Sequence, residues 1–455
     1  LLILARIVHL GFLADFLSRS VLVGFLTGVG LQVALGELPK LFGIKASGNN
    51  TLLKLNDAAG NLGTVSGYTT AVSLAVLVLI IGCRQLSKRI PGPLIAVVAV
   101  IVASSVFDLK SLGVGVLGNI DGELPRIGIP DVAWSWKLLW QLLPTALSIF
   151  MVILAQSAAT SRAYAARYGE KFSENSDLVG LGLANLGAGI SGTFVVNGSP
   201  TKTEMVDSAG GRSQLAQLTT AVIVLLTILF LTGPLALMPD AALSAIVFLI
   251  GINLIDLRNL RKIFAQARSE FWIAVATAAI VVVVGVEQGI LWAMALSLIN
   301  HTRRGYRPKN SVIVRSDGEG WHARPVSDPA EFEPGLLVYR FSHSMYYANT
   351  QVFQEEVTSL VNRVKPKVRC FCIDASAIDD VDYSAGQALK AMCNYLKERG
   401  IRLTFVMVEP SVKTELDKYG VSDLVGEDAF FDTGRELLQS FERMKKRPKK
   451  PDSSQ

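Results

Sequence analysis

The chain has 455 residues, of which 50% are apolar and only 18% charged, with mean hydropathy +0.40 and a formal net charge of +6. So few charges in so apolar a chain exclude a wholly soluble protein. Residues 1–305 hold 38 of the 82 Asp, Glu, Lys and Arg and the entire basic excess, at a density of about 12% against about 29% in residues 306–455. Lipid is the implied solvent of the first part and water of the second, and the basic excess fits membrane loops rather than a nucleic-acid surface.

Leu1–Arg19 begins without Met and has no signal-peptide layout; it reads as the tail of a helix that starts upstream, in an N-terminally incomplete sequence. Apolar segments follow at Ser20–Leu35, Tyr68–Cys83, Leu94–Val106, Leu138–Ala159, Leu178–Ile190, Ser213–Thr232, Ala241–Ile255, Phe271–Val286 and Gly289–Ile299. Few reach the roughly 20 residues of a full span. Several are broken by Gly, Pro or Ser, which lipid tolerates only where protein or a water-filled cavity covers the freed backbone, as in the discontinuous helices of transporters. The spacing Gly24-Phe-Leu-Thr-Gly28 predicts close helix packing. Gly187-Ala-Gly189-Ile-Ser-Gly192 matches a dinucleotide fingerprint but follows no strand, so close packing is expected there too.

Loop charges orient the spans. Arg84, Lys88 and Arg89, then Arg162, Arg167 and Lys171, then Arg258, Arg261, Lys262 and Arg268, then Arg303 and Arg304 cluster on one side. Lys40, Lys45, Lys54, Lys110, Arg126 and Lys137 are spread over two long loops on the other. The clustered side is cytoplasmic, and the water-soluble part follows on that side. The alternation requires one further short element between Ser199 and Gly210.

That element carries the chemistry. In Thr193-Phe-Val-Val-Asn-Gly-Ser-Pro-Thr-Lys-Thr-Glu204, Asn197-Gly198 breaks the chain, Ser199 can cap and Pro200 suits the first helical position. Thr201-Lys-Thr-Glu204 offers a second capping arrangement. A short helix starting inside a membrane domain points free N–H groups and its positive dipole end into a cavity, and Lys202 completes an anion site. The alternative is that Lys202 snorkels to the interface while Ser199 and Thr201 are ordinary caps. Gln156 and Thr160 share a helix face and either line this site or form core hydrogen bonds; Phe194 is the remaining lining candidate.

From residue 335 short β runs alternate with amphipathic helices: Gly335–Phe341, Val368–Ile373 and Arg402–Val408 as strands, and Val352–Val364, Ser384–Arg399, Ser411–Tyr419 and Gly434–Arg443 as helices. This predicts an α/β domain with a mainly parallel sheet over 335–443. Residues 306–334 are expected as a linker and 444–455 as a basic, solvated tail with a minor attraction to anionic lipid. Cys370 and Cys372 alternate along an apolar run, as one face of a strand does, and neither a disulfide framework nor a metal site is predicted from the four cysteines.

Residues 10–44 (Leu-Gly-Phe-Leu-Ala-Asp-Phe-Leu-Ser-Arg through Leu-Pro-Lys-Leu-Phe-Gly-Ile) resemble the fourth and fifth spans of the SulP anion transporters. Residues 178–214 resemble the ninth and tenth, with the usual Ser-x-Ser-Arg-Ser written here Ser199-Pro-Thr201-Lys202-Thr203 and followed by Arg212-Ser-Gln214. Residues 335–443 resemble the STAS domain of that family. The resemblance implies a polytopic α-helical membrane domain over 1–305, of seven-plus-seven inverted repeats with the first spans lying outside this chain, and a cytoplasmic α/β STAS domain. The absent third span would supply the opposing half-helix of the substrate site, so the 455-residue form is expected not to transport by itself.

By the same resemblance the function is secondary active transport of an inorganic anion, sulfate first and bicarbonate, chloride or a dicarboxylate behind it. The implied substrate residues are Ser199, Thr201, Lys202, Gln156, Thr160 and Phe194. No cofactor is implied beyond a coupling ion, H+ or Na+. The implied setting is the plasma membrane (the inner membrane if bacterial), as a homodimer among membrane lipid, with a cytosolic partner for the STAS domain and no nucleic acid. Two departures stand out. Lys202 replaces the commoner Arg, keeping charge but losing the bidentate fork, and Gln156 stands where many bacterial members have Glu, against proton coupling there. In Asp379-Asp-Val-Asp-Tyr-Ser-Ala-Gly386, Tyr383 falls where related anti-sigma antagonists carry a phosphorylated Ser, with Ser384 beside it; a capping loop is the alternative to a regulatory switch. A membrane-anchored STAS signalling protein and a nucleobase permease are the competing functions, and no enzymatic activity is expected.

Overall fold

The computed structural model describes residues 1–9, 18–48, 50–87, 90–119, 127–128, 132–306, 308–315, 321–364 and 367–446. Lys88, Arg89 and Arg126 of the loop-charge pattern, residues 10–17 of the family resemblance and 447–455 of the basic tail lie outside these. Contacts divide the chain into two compact units, Leu1–Leu298 and Ile299–Gln455.

The first unit is helical: α1 Leu2–Ile7, α2 Arg19–Leu41, α3 Thr51–Gly60, α4 Gly67–Leu86, α5 Gly92–Phe107, α6 Trp136–Tyr168, α7 Glu174–Ile190, α8 Pro200–Ser208, α9 Gln214–Phe230, α10 Thr232–Ala236, α11 Asp240–Leu254, α12 Leu257–Gln266, α13 Arg268–Val284 and α14 Val286–Tyr306. Among the described residues, Arg19–Leu41, Gly67–Leu86, Trp136–Tyr168 and the run Asp240–Gln266 are long and apolar enough to cross a membrane. Start signals are written in the sequence: Ser18, Asn50, Ser66, Ser135 and Asp256 each accept a backbone N–H of the helix they open.

Helix α2 is the centre of this unit, flanked by α11 and α13. Its glycines allow the approach: a Cβ on Gly24 would lie 2.3 Å from the Ala274 carbonyl oxygen, and one on Gly28 2.8 Å from Val281 Cβ. Across the other flank, Gly30 and Gly251 face each other's backbone just as closely. Val21, Phe25 and Val29 then meet Ile250, Leu254 and Val281 in a buried cluster. The tight packing expected at 187–192 is not formed. Nothing lies within 4 Å of a Cβ built on Gly187 or Gly189, and Gly192, at φ +65°, serves the turn after α7 instead.

The second unit contains a six-stranded sheet in the order β2-β1-β3-β4-β5-β6. Its strands are β1 Ser311–Arg315, β2 Trp321–Pro325, β3 Leu336–Arg340, β4 Cys370–Asp374, β5 Arg402–Val406 and β6 Phe430–Phe431. Strands β3 to β6 are parallel, and β1 pairs antiparallel with both β2 and β3. Helices α15 Thr350–Arg363, α16 Tyr383–Glu398, α17 Pro410–Lys418, α18 Val421–Val425 and α19 Gly434–Lys446 complete it. On β4 the alternation holds: Phe371 and Ile373 join one core with Phe353 and Leu389, while Cys370 and Cys372 join the other with Leu437 and Phe441. The expected linker 306–334 is corrected here, because Val312, Ile313 and Val314 are buried in β1 beside β3. A strand buried on both faces has no period-two signature to betray it.

Candidate functional site

An extended path leads into α8. After α7 the extended chain is held by Asn185, whose amide oxygen accepts the Val196 N–H at 3.0 Å and whose Nδ2 donates to the Val196 carbonyl at 2.9 Å. Asn197 Nδ2 donates to Gln156 Oε1, and the Gly198 N–H donates to Ser157 Oγ at 2.8 Å. A Cβ on Gly198 would lie 3.2 Å from Ser157 Cα, so any other residue would push the two backbones apart by a few tenths of an ångström. Pro200, buried, opens the helix.

The start of α8 is left open. Ser199 does not cap; its hydroxyl is 3.1 Å from Thr201 Oγ1. The Thr203 N–H donates to the Ser199 carbonyl at 2.9 Å, and Pro200 has no N–H. The Thr201 and Lys202 N–H groups therefore have no partner among the described residues. Lys202 is exposed and makes no ion pair with any of them. Two N–H donors and two hydroxyls thus gather at a positive helix end whose first turn also carries Lys202, a donor set suited to an oxyanion. Ser157 precedes Tyr168, the last residue of α6, by 11 positions. At 1.5 Å per residue that is about 16 Å of helix.

The other end of α8 is bound to α6 by charge. Glu204, buried, accepts from Tyr164 OH at 2.8 Å and from Arg167 Nη1 at 3.1 Å. Asp207 accepts from Tyr168 OH at 2.6 Å, and lies 3.3 Å from both Arg167 and Arg212, the latter over the Tyr168 ring. These partners were legible only as spacing: Tyr164, Arg167 and Tyr168 fall on one helix face, as do Glu204 and Asp207.

Not every candidate joins the site. Gln156 does, through Asn197, but Thr160 is buried and its hydroxyl donates to the Gln156 carbonyl at 2.8 Å, the core alternative. Phe194 is 89% exposed and lies outside this cluster of contacts. A cavity of about 390 Å³ opens beside the far half of α8, lined by Arg19, Tyr164, Arg167, Glu204, Arg258 and Lys262, and by none of the six substrate candidates. In the second unit Asp382 caps α16 through Ala385 N–H at 2.7 Å and also accepts from Tyr347 N–H. Tyr383 and Ser384 project outward beside that cap. Glu415, which accepts the Val381 N–H here, has its carboxyl pushed above the usual range by partial burial, with Asp380 adding to it.

Apolar helices long enough to cross a membrane, a chain break before the short α8 and an α/β sheet unit after them fit a membrane transporter. Comparison with known proteins agrees. Residues 1–277 match the Sulfate permease family and residues 329–437 the STAS domain. A Mycobacterium tuberculosis protein named "Probable sulfate transporter" is 34% identical over 97% of this chain and 79% of its own length. "Sulfate transporter 1.3" of Arabidopsis thaliana is 26% identical over 95% of the chain and 69% of its own. The murine Solute Carrier 26 family member A9 anion transporter, in its inward-facing state, shares the fold at TM-score 0.80 and 20% identity, over 97% of this chain and 74% of that one. The chain belongs to the sulfate permease family, whose members are multi-pass membrane transporters and not enzymes.

Proposed function

We propose that the protein carries out secondary active transport of an inorganic anion, sulfate before bicarbonate or a dicarboxylate, with the anion held at the start of α8. Thr201 and Lys202 N–H groups, the Ser199–Thr201 hydroxyl pair and the Lys202 ammonium are its ligands. The single observation that supports this most is a helix start whose first N–H groups, like the Lys202 ammonium beside them in sequence, have no partner among the described residues. The sulfate transporters of M. tuberculosis and Arabidopsis thaliana among its relatives support sulfate in particular. An opposing half-helix completes the cradle, and alternating access, driven by H+ or Na+, moves the anion. The working unit is a homodimer in the plasma membrane with the STAS domain in the cytoplasm, where that domain binds a cytosolic partner. Radiolabelled uptake by the full gene product in proteoliposomes, with a panel of anions competing against sulfate, tests the substrate. Uptake of none of them would overturn it, and a strictly monomeric mass in detergent and in nanodiscs would overturn the dimer.

A further inference from the structure

We propose that Glu204 and Asp207 are positioning residues that lock α8 onto α6 as one rigid body and thereby fix the depth and direction of its open N-terminus. The proposal rests on the anion being held at that N-terminus. The two helices run side by side in the same direction, because contacts advance together along both. Asn197 and Gly198 meet Gln156 and Ser157, Glu204 meets Tyr164 and Arg167, and Asp207 meets Arg167 and Tyr168. A nine-residue helix is too short to hold its place by propensity. It is pinned at both ends instead, by neutral hydrogen bonds at the start and by paired charges at the far end.

The pairing also decides where an anion goes. Arg167 and Arg212 are matched by Glu204 and Asp207, and Arg212 is further engaged by the Tyr168 ring. Between residues 193 and 214 the cations are Lys202 and Arg212, and Lys202 alone has no carboxylate partner among the described residues. The strut therefore aims the helix while cancelling the competing positive charge at its other end. Glu204 is buried and its carboxylate oxygen takes both partners, so removing its charge leaves Arg167 with Asp207 alone and slackens the far pin.

In the full gene product in proteoliposomes, Glu204→Gln is expected to raise the apparent sulfate Km about tenfold with Vmax close to the parent value. The paired swap Glu204→Arg with Arg167→Glu is expected to return Km toward the parent, which repair of packing alone would not do. Arg167→Gln, at a half-exposed position, gives the same rise if Glu204→Gln fails to fold. A second arm reads geometry without transport: Thr201→Cys, labelled by a cationic thiosulfonate, against four native cysteines that are all buried. Glu204→Gln is expected to change that labelling rate and the swap to restore it. Parent-like Km and labelling in Glu204→Gln would overturn the strut. A labelling shift in a parent that moves no anion would overturn the anion reading and leave the strut standing.

Discussion

Lys202→Ala is the most direct test of the site. A charge-assisted hydrogen bond contributes about 1.5–3 kcal/mol, whereas the helix end alone contributes about 0.3–1 kcal/mol and up to ~2 when partly buried. The ammonium is thus expected to carry the larger share, and its loss to raise the apparent sulfate Km about 10- to 100-fold. Folding should not suffer, since a Lys inside a bilayer is costly rather than stabilising and Lys202 has no carboxylate partner to orphan among the described residues. Lys202→Arg is expected to keep substantial uptake because the charge remains. Thr201→Ala should weaken binding less, because the backbone N–H groups stay where they are. The assay is initial-rate uptake of labelled sulfate across a concentration series, with membrane-inserted protein quantified in parallel. Unchanged Km and Vmax in Lys202→Ala would mean that the residue only snorkels, and the site would have to be abandoned.

Gly24→Ala is expected to destabilise the membrane unit by about 1–3 kcal/mol through overpacking against the Ala274 backbone, while Gly36→Ala, which meets nothing within 4 Å, is neutral or stabilising; thermal melts in detergent compare the two. Arg340→Ala should cost about 3 kcal/mol, the low end for a broken buried pair because Arg340 is a third exposed. It leaves the fully buried Asp374 without the guanidinium whose Nε donates to it and whose Nη2 lies 2.7 Å away, and chemical denaturation followed by circular dichroism reads the loss. Burial pushes the Cys370 thiol up to about 11 and the Cys372 thiol well above its ordinary range, so neither should react with iodoacetamide at pH 8 until the protein unfolds. Rapid alkylation of either in the folded protein, seen by peptide mass spectrometry, would contradict the packing around β4.

Much of this architecture is visible in the residues themselves. Pro200 after Asn197-Gly198-Ser199 announced a helix start in the middle of an apolar region, and the charge alternation required an element there before any coordinate did. Period-two alternation in Cys370–Ile373 and period-3.6 faces in α15, α16 and α19 made the second unit readable strand by strand. Two kinds of feature escaped. Strand β1 buries Val312, Ile313 and Val314 in succession, so no periodicity separates it from a linker. The ties between α6 and α8 join residues some 40 positions apart, and nothing local distinguishes Glu204 from an ordinary helix-surface glutamate. For Thr160 the sequence leaves site lining and core hydrogen bonding equally open, because a threonine hydroxyl on a helix can always return to its own backbone, and here it does.

One surface of α6 has a mechanical meaning. Ala155, Ala159 and Ala163 recur every fourth residue and are buried in the cluster that holds Val21, Leu22, Phe25 and Val29 of α2. A stripe of methyl groups offers no knob to withdraw from a hole. Displacement of α6 along α2 exchanges one shallow van der Waals contact for an equivalent one, so the resistance to sliding is low compared with the interlocked glycine seams of α2 with α11 and α13. The membrane unit thus contains a stiff joint and a smooth bearing side by side, and the half-helix touches both, packing on α11 of the joint and tied by charge to α6 of the bearing.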